Sequence, residues 1–213
     1  MDLRKLPPID VMSMVEPVVD VAYGKEVTLE KAMRPPYLVP DVSHLLVEEP
    51  AYKLGMAWAY EGLKIFFRIE SKFSGCFFPE VEKGDGVEVF IDTRSIATTS
   101  GIHKYCHHFV FLPKEVDGIV AAEVTRFKGD DKHDPASAEN FSVESQIKGG
   151  KIDMQIIIPE ASLFGYNPEE SPKIGFACRV HRSNKDAGHF PLSEVDFKLS
   201  LSPALWARMR LVK

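Results

Sequence analysis

Two short stretches of this 213-residue chain carry residue types that could do chemistry. The first is Gly84-Asp85-Gly86-Val87-Glu88-Val89-Phe90-Ile91-Asp92-Thr93-Arg94. A glycine turn leads into apolar residues at 87, 89 and 91, the period-two pattern of a half-buried strand. Glu88 and Asp92 then point to the opposite face, with Arg94 in the exit loop. Glu88 could accept hydrogen bonds from ligand hydroxyls, with Asp92 and Arg94 as neighbours, or could be a solvated side chain paired with cross-strand cations. The second stretch is His103-Lys104-Tyr105-Cys106-His107-His108. Imidazole and thiol are common zinc and copper ligands. On a strand, His108 and Cys106 share one face, while His107 shares the other with Tyr105 and His103. Adjacent His107 and His108 therefore cannot both reach one ion without a bulge. His181 and His189 stand singly in segments that read as loop, so no second ligand pair completes a metal site. The preferred reading turns His108 into a groove beside Glu88 and packs His107 in the core.

Phe77 and Phe78 form an adjacent aromatic pair in a loop. Such a pair could offer a stacking platform, or could plug the end of the domain. Asp130-Asp131-Lys132-His133-Asp134 is oxygen-rich but lacks the glycine-punctuated spacing of a calcium loop, and reads as a solvated charged loop. The chain has no Gly-x-Ser-x-Gly, no phosphate-cradling glycine loop and no His-Glu-x-x-His. Glu88 with Glu82 or Asp92 could pair as carboxylates, a pattern too common to indicate glycoside cleavage.

The elements that must position these residues are short strands. Residues 55–60 and 63–70 flank Glu61-Gly62, a hairpin turn. Strands follow at 86–92, at 107–112 ending at Pro113, and at 119–127 after Asp117-Gly118. Residues 141–147 and 151–158 flank Gly149-Gly150, a second hairpin. A helical turn at 159–165 precedes a strand at 174–180, a loop at 182–191, and strands at 196–201 and 205–212. Cys178 falls on the apolar alternation Ile174-Phe176-Cys178-Val180 and reads as a small buried hydrophobe. Prolines at 7, 8, 17, 35, 36, 40 and 50 exclude a long helix from residues 1–50. That segment reads as an arm with short strands and one helical turn at 28–33, packed on a domain spanning 51–213. Many strands and almost no helix predict an all-β, two-sheet antiparallel β-sandwich of immunoglobulin or jelly-roll type.

Bulk properties exclude several functions. A formal charge of −5 and a pI near 5.8 argue against binding a nucleic-acid backbone. No apolar run is long enough for a membrane-spanning helix, and the first residues lack the apolar core of a secretory signal. The expectation is a soluble protein, cytoplasmic in location, with no membrane partner. Three cysteines do not make a disulfide framework.

Three segments resemble the family-nine carbohydrate-binding modules and the wider DOMON-like β-sandwiches. They are Met56-Ala57-Trp58-Ala59-Tyr60 with Leu63-Lys64-Ile65-Phe66, then Asp85 to Asp92, then Ile174-Gly175-Phe176 with Ser202-Pro203-Ala204-Leu205-Trp206-Ala207. Their order matches over residues 50–213. In sugar-binding members two tryptophans clamp a terminal sugar while a Glu and an Arg bond its hydroxyls, and Glu88 matches that Glu. The clamp positions fall on Glu82 and Ser200, and the Arg position falls near His107 and His108. Trp58 and Trp206 match aromatic core positions instead. The resemblance implies a non-catalytic domain that binds a sugar or similar polyhydroxylated small molecule and needs no cofactor. Glu88, His108 and Arg94 would serve as polar contacts, and Phe77, Phe78 and Tyr105 as apolar walls. One alternative is a protein-interaction sandwich that has lost the slot, marked by a contiguous exposed apolar patch rather than a concavity floored by Glu88. Another is a haem or metal module using Met56 and the His107/His108 strand.

Overall fold

The structure, a computed structural model, describes residues 18–96, 101–183, 185–193 and 198–213. Eleven strands are present among them: β1 (Val18–Ala22), β2 (Tyr52–Ala59), β3 (Gly62–Ile69), β4 (Gly86–Asp92), β5 (Cys106–Val116), β6 (Ile119–Glu123), β7 (Ser142–Lys148), β8 (Lys151–Pro159), β9 (Lys173–Arg182), β10 (Lys185–Phe190) and β11 (Ala207–Val212). Two single-turn helices, α1 (Leu29–Ala32) and α2 (Ser43–Leu46), lie in the arm. The strands form two sheets packed face to face, a β-sandwich. One sheet has the order β2-β3-β8-β7; the other runs β1-β11-β9-β4-β5-β6. β9 takes β11 along its first half and β10 along its second. No helix among the described residues is long and apolar enough to cross a membrane.

Alternation decides what faces inward. Leu63, Ile65, Phe67 and Ile69 of β3 meet Val87, Val89 and Ile91 of β4, Phe109 and Phe111 of β5, and Ile174, Phe176, Cys178 and Val180 of β9 in one core. Burying each large side chain contributes about 1.5–3 kcal/mol, the main force closing the sandwich. Gly149 and Gly150 both hold positive φ in the β7–β8 turn, as the sequence requires. The outward face of β3 is also covered: Phe66 packs with Val27, Ala32 and Ala57 under α1, so residues of the arm shield one sheet. β1 adds to the other sheet as a parallel partner of β11. Residues 1–17 of the expected arm lie outside the described residues.

Several expectations about elements are corrected. β5 continues through Pro113 to Val116, because its pairing with β6 slips between Phe111 and Val116 and frees the proline from the ladder. β6 stops at Glu123 rather than 127. Residues 185–190, expected as loop, pair with β9 as β10, since Arg182 and Lys185 close a tight connection. The described part of the expected 196–201 strand is a 3₁₀ turn at Leu199–Leu201; residues 196 and 197 lie outside the described residues.

Candidate functional site

β4 is buried on both faces, which the sequence pattern did not anticipate. The outer face of the larger sheet carries two apolar patches. Phe90, Cys106 and Ala177 pack with Leu199 and Trp206; Val110 and Leu112 pack with Val81 and Phe78. At Gly175 a Cβ would crowd Asp92 Cβ at 3.1 Å while meeting the Trp206 indole at an ordinary contact distance of 3.6 Å. Between the patches lies a groove of about 380 Å³, walled by Pro79, Glu82, Arg126, Ser200 and Trp206. Its volume is that of a small-molecule site.

Glu88 floors this groove and is only 7% exposed. Register supplies its partners: Glu88 lies opposite Arg179 of β9, with His181 two residues on and His108 on the neighbouring β5. His108 Nε2 is 2.9 Å from Oε1, while Arg179 Nε at 2.5 Å and His181 Nε2 at 2.6 Å meet Oε2. Burial pushes the Glu88 carboxyl up, but the bonds from His108, His181 and Arg179 outweigh it and hold the group well below the ordinary carboxylate range. The result is a desolvated, oriented anion paired with a fixed guanidinium. Such a pair presents an acceptor and donors in fixed directions, the chemistry that selects hydroxyl groups. Phe90 packs against the His108 ring, with centroids 4.4 Å apart and the planes tilted by 34°.

Of the residues singled out in the sequence, Glu88 and His108 are brought together. Phe78 packs beneath the groove in the Val81 patch, whereas Phe77 is 48% exposed and is not part of the wall. Tyr105 and Arg94 lie elsewhere: Tyr105 stacks on Phe164 at 5.7 Å, and Arg94 sits over Tyr105 and pairs with Glu170 at 3.0 Å. The expected neighbourhood of Glu88 is therefore corrected, because the Thr93 turn carries the chain to the far end of the sandwich. Asp92 is also distant from solvent; it accepts the Arg94 backbone N–H at 3.0 Å and faces His103 at 3.6 Å, with Cys106 Sγ 3.3 Å from the same His103 nitrogen. Burial pushes the Cys106 thiol up to about 12. Asp85, beside the motif, is an anchor: it accepts the backbone N–H of Ser74, Gly75 and Ser183.

Arg179 escaped the sequence reading, and His181, read there as a single loop histidine, lies on β9. The signal was present in the same alternation that marked Cys178 as buried, for it sends Gly175, Ala177, Arg179 and His181 to the other face. His189, read as loop, belongs to β10 and pairs with Glu48 at 2.7 Å. A second carboxylate also gathers histidines. Glu123, at the end of β6, meets His107 Nδ1 at 3.0 Å and His133 Nε2 at 2.8 Å, with Thr125 Oγ1 donating to it at 2.7 Å. His133 comes from the loop expected to be solvated, and it is buried while Asp130, Asp131, Lys132 and Asp134 around it are exposed.

No family sequence model matches the chain, and no curated protein matches it by sequence. Solved structures do. A family 9 carbohydrate binding module from Caldicellulosiruptor kristjanssonii in complex with glucose is 13% identical, with a TM-score of 0.62 over 91% of this chain and 95% of that one. A structure of such a module from the same organism in complex with cellotriose gives 0.58 at 13% identity, over 92% and 93% of the two chains. The likeness is one of fold: this chain shares the β-sandwich of those modules.

Proposed function

We propose that the chain is a non-catalytic binding domain that takes a sugar or a related polyhydroxylated small molecule in the groove over β4, β5 and β9. The observation that carries this reading is the buried Glu88 carboxylate, ringed by Arg179, His108 and His181 at the floor of a groove of about 380 Å³. A buried ion pair costs desolvation and adds little stability for its expense, so its position at the base of a concavity favours recognition over scaffolding.

Glu82 and Ser200 stand where sugar-binding family members carry clamp tryptophans, and both line the groove. The slot thus keeps its place while its walls have changed from stacking surfaces to hydrogen-bonding ones. Trp206 and Phe90 supply aromatic contact from one side, and Val81, Val110 and Val124 supply aliphatic contact from the other. Such a site suits a ligand held by its hydroxyl edges more than by its ring faces. The neighbouring structures in complex with glucose and cellotriose support this class of ligand. Of the exposed large apolar side chains, Leu45 and Val47 share the α2 turn while Phe77 and Phe164 lie on other elements, which gives a protein-interaction reading less support.

The test is calorimetric titration of the purified protein with mono- and oligosaccharides and with linear polyols. Saturable binding to at least one, weakened about 100-fold or more by Glu88→Gln in a protein of unchanged fold, is the expected result; such a loss matches hydrogen bonds to a charged group. Silence across the panel would overturn the reading.

A further inference from the structure

The Glu123 cluster poses a proton problem that the groove does not. Lys104 presents its backbone carbonyl to His133 Nδ1 at 2.6 Å. A carbonyl only accepts, so Nδ1 carries the hydrogen, and in a neutral ring Nε2 is then a bare lone pair. That lone pair faces Glu123 Oε1 across 2.8 Å, one acceptor against another. Something positive must lie between them, either a proton or a metal ion. His107 can share that oxygen as the neutral Nδ1–H tautomer, so the unmet demand is that of His133. The His107 Nδ1 is 3.0 Å from the same oxygen, and its Nε2 is buried with no partner. Thr125 is already spoken for: its hydroxyl accepts the His108 backbone N–H at 2.8 Å and gives its own hydrogen to Glu123. Among the described residues, no arginine or lysine is a hydrogen-bond partner of Glu123.

We propose that His107 Nδ1, Glu123 Oε1 and His133 Nε2 form a site for a divalent transition-metal ion of the zinc type, with one coordination position open to the adjoining cavity. Two imidazoles and a carboxylate are a zinc donor set, and three protein ligands leave a fourth position for water or a small ligand. The carbonyl of Lys104 does what a metal-bound histidine needs, fixing the tautomer that points Nε2 at the ion. The three ligand atoms lie within 4.8 Å of one another. Metal–ligand bonds of about 2.0–2.1 Å place tetrahedral ligands about 3.3 Å apart, so the observed 2.8 and 3.0 Å need open by only a few tenths of an ångström.

The surroundings are built for such an ion. Phe164 stacks on the His133 ring at 5.5 Å and Phe127 meets it edge-on at 4.9 Å, while Phe109 stacks on His107 at 5.2 Å. A cavity of about 490 Å³ opens beside His107 and His133, and Ser162 lines it with a buried hydroxyl that has no partner. That hydroxyl can hold a water or ligand on the fourth position. Because β5 alternates, His107 serves this site and His108 serves the groove on the other face. The two sites adjoin, since His107 and Thr125 also border the groove, but they use different carboxylates, and the metal would tie the loop around His133 to the sheet without touching Glu88.

The test strips the purified protein with a chelator and titrates it with Co²⁺, then Zn²⁺. One equivalent of Co²⁺ with the visible spectrum of a low-coordinate site lacking thiolate is expected, displaced by Zn²⁺. Glu123→Gln and His133→Gln should each weaken it by more than the about 10–100-fold typical of changes beyond the ligands themselves. Cys106→Ser should leave it unchanged. Histidine ¹⁵N spectra of the wild type need no variant to fold: zinc should convert His133 Nε2 from N–H to metal-bound. Absence of stoichiometric binding, a binding signal lost in Cys106→Ser, or a His133 spectrum indifferent to zinc would each overturn the proposal. None of these outcomes bears on sugar binding, so the two readings fail separately.

Discussion

Glu88 on β4 and Glu123 on β6 are both buried carboxylates on strands that flank β5 in one sheet, and both meet two histidines, yet they are finished differently. Glu88 has a guanidinium as its third partner, a charge that never leaves. It is electrostatically complete, and what it borders is open space shaped for a ligand. Glu123 has a threonine hydroxyl and a backbone N–H instead, from Thr125 and Ala136. Its compensation must come from something mobile, a proton or an ion. Burial of an anion next to a fixed cation makes a recognition surface; burial beside histidines without a fixed cation makes a cation site.

The comparison breaks most visibly at Arg179. Arg179→Met makes Glu88 resemble Glu123 by removing its permanent counter-charge. Breaking one side of a buried pair costs about 3–5 kcal/mol, and partial exposure of Arg179 reduces the expected loss to about 2–4 kcal/mol in urea unfolding. A loss under about 1 kcal/mol would mean that His108 and His181 alone hold the carboxylate, and the contrast would fall.

The pH dependence sharpens the same point. The Glu88 carboxyl is depressed in the folded protein, so its ionised form contributes stability above the ordinary carboxylate range near 4.5, and that stability is lost as pH falls below it. Stability should decline by up to about 1.4 kcal/mol per pH unit from this group below about pH 4, and Glu88→Gln should flatten that part of the acid limb. Unfolding curves measured at several acidic pH values check it; parallel limbs in the two proteins would contradict it.

The smallest effect concerns a residue the sequence favoured. Phe77→Ser changes an exposed side chain outside the groove and should alter stability by no more than about 0.5 kcal/mol, with ligand affinity unchanged. A marked loss of affinity in titration would extend the site beyond the walls described for it.

How much of this was legible follows from where the information lies. Alternation in 86–92 and 174–180, and the glycine turns at 61–62 and 149–150, are local, and the sandwich follows from them. The pairing of His108 with Glu88 was also within reach, because the motif and the next strand are adjacent in sequence and in space. Arg179 and His181 lie 91 and 93 positions from Glu88 and join it only through the β4–β9 register, which no local pattern encodes. Tyr105 and Arg94 were misplaced for the converse reason: sequence proximity to the motif does not survive the Thr93 turn. The burial of His133 inside a charged loop left no local sign, since its neighbours Asp130, Asp131, Lys132 and Asp134 are all solvated.

The most direct test of the account is a chemical-shift map of the isotope-labelled protein titrated with a ligand from the sugar and polyol panel. The account predicts perturbations centred on Glu82, Glu88, His108, Ser200 and Trp206, with Tyr105, Arg94 and Phe77 unmoved. Perturbations centred on Tyr105 and Phe164, or on the arm around α2, would contradict it and move the binding function off the Glu88 groove.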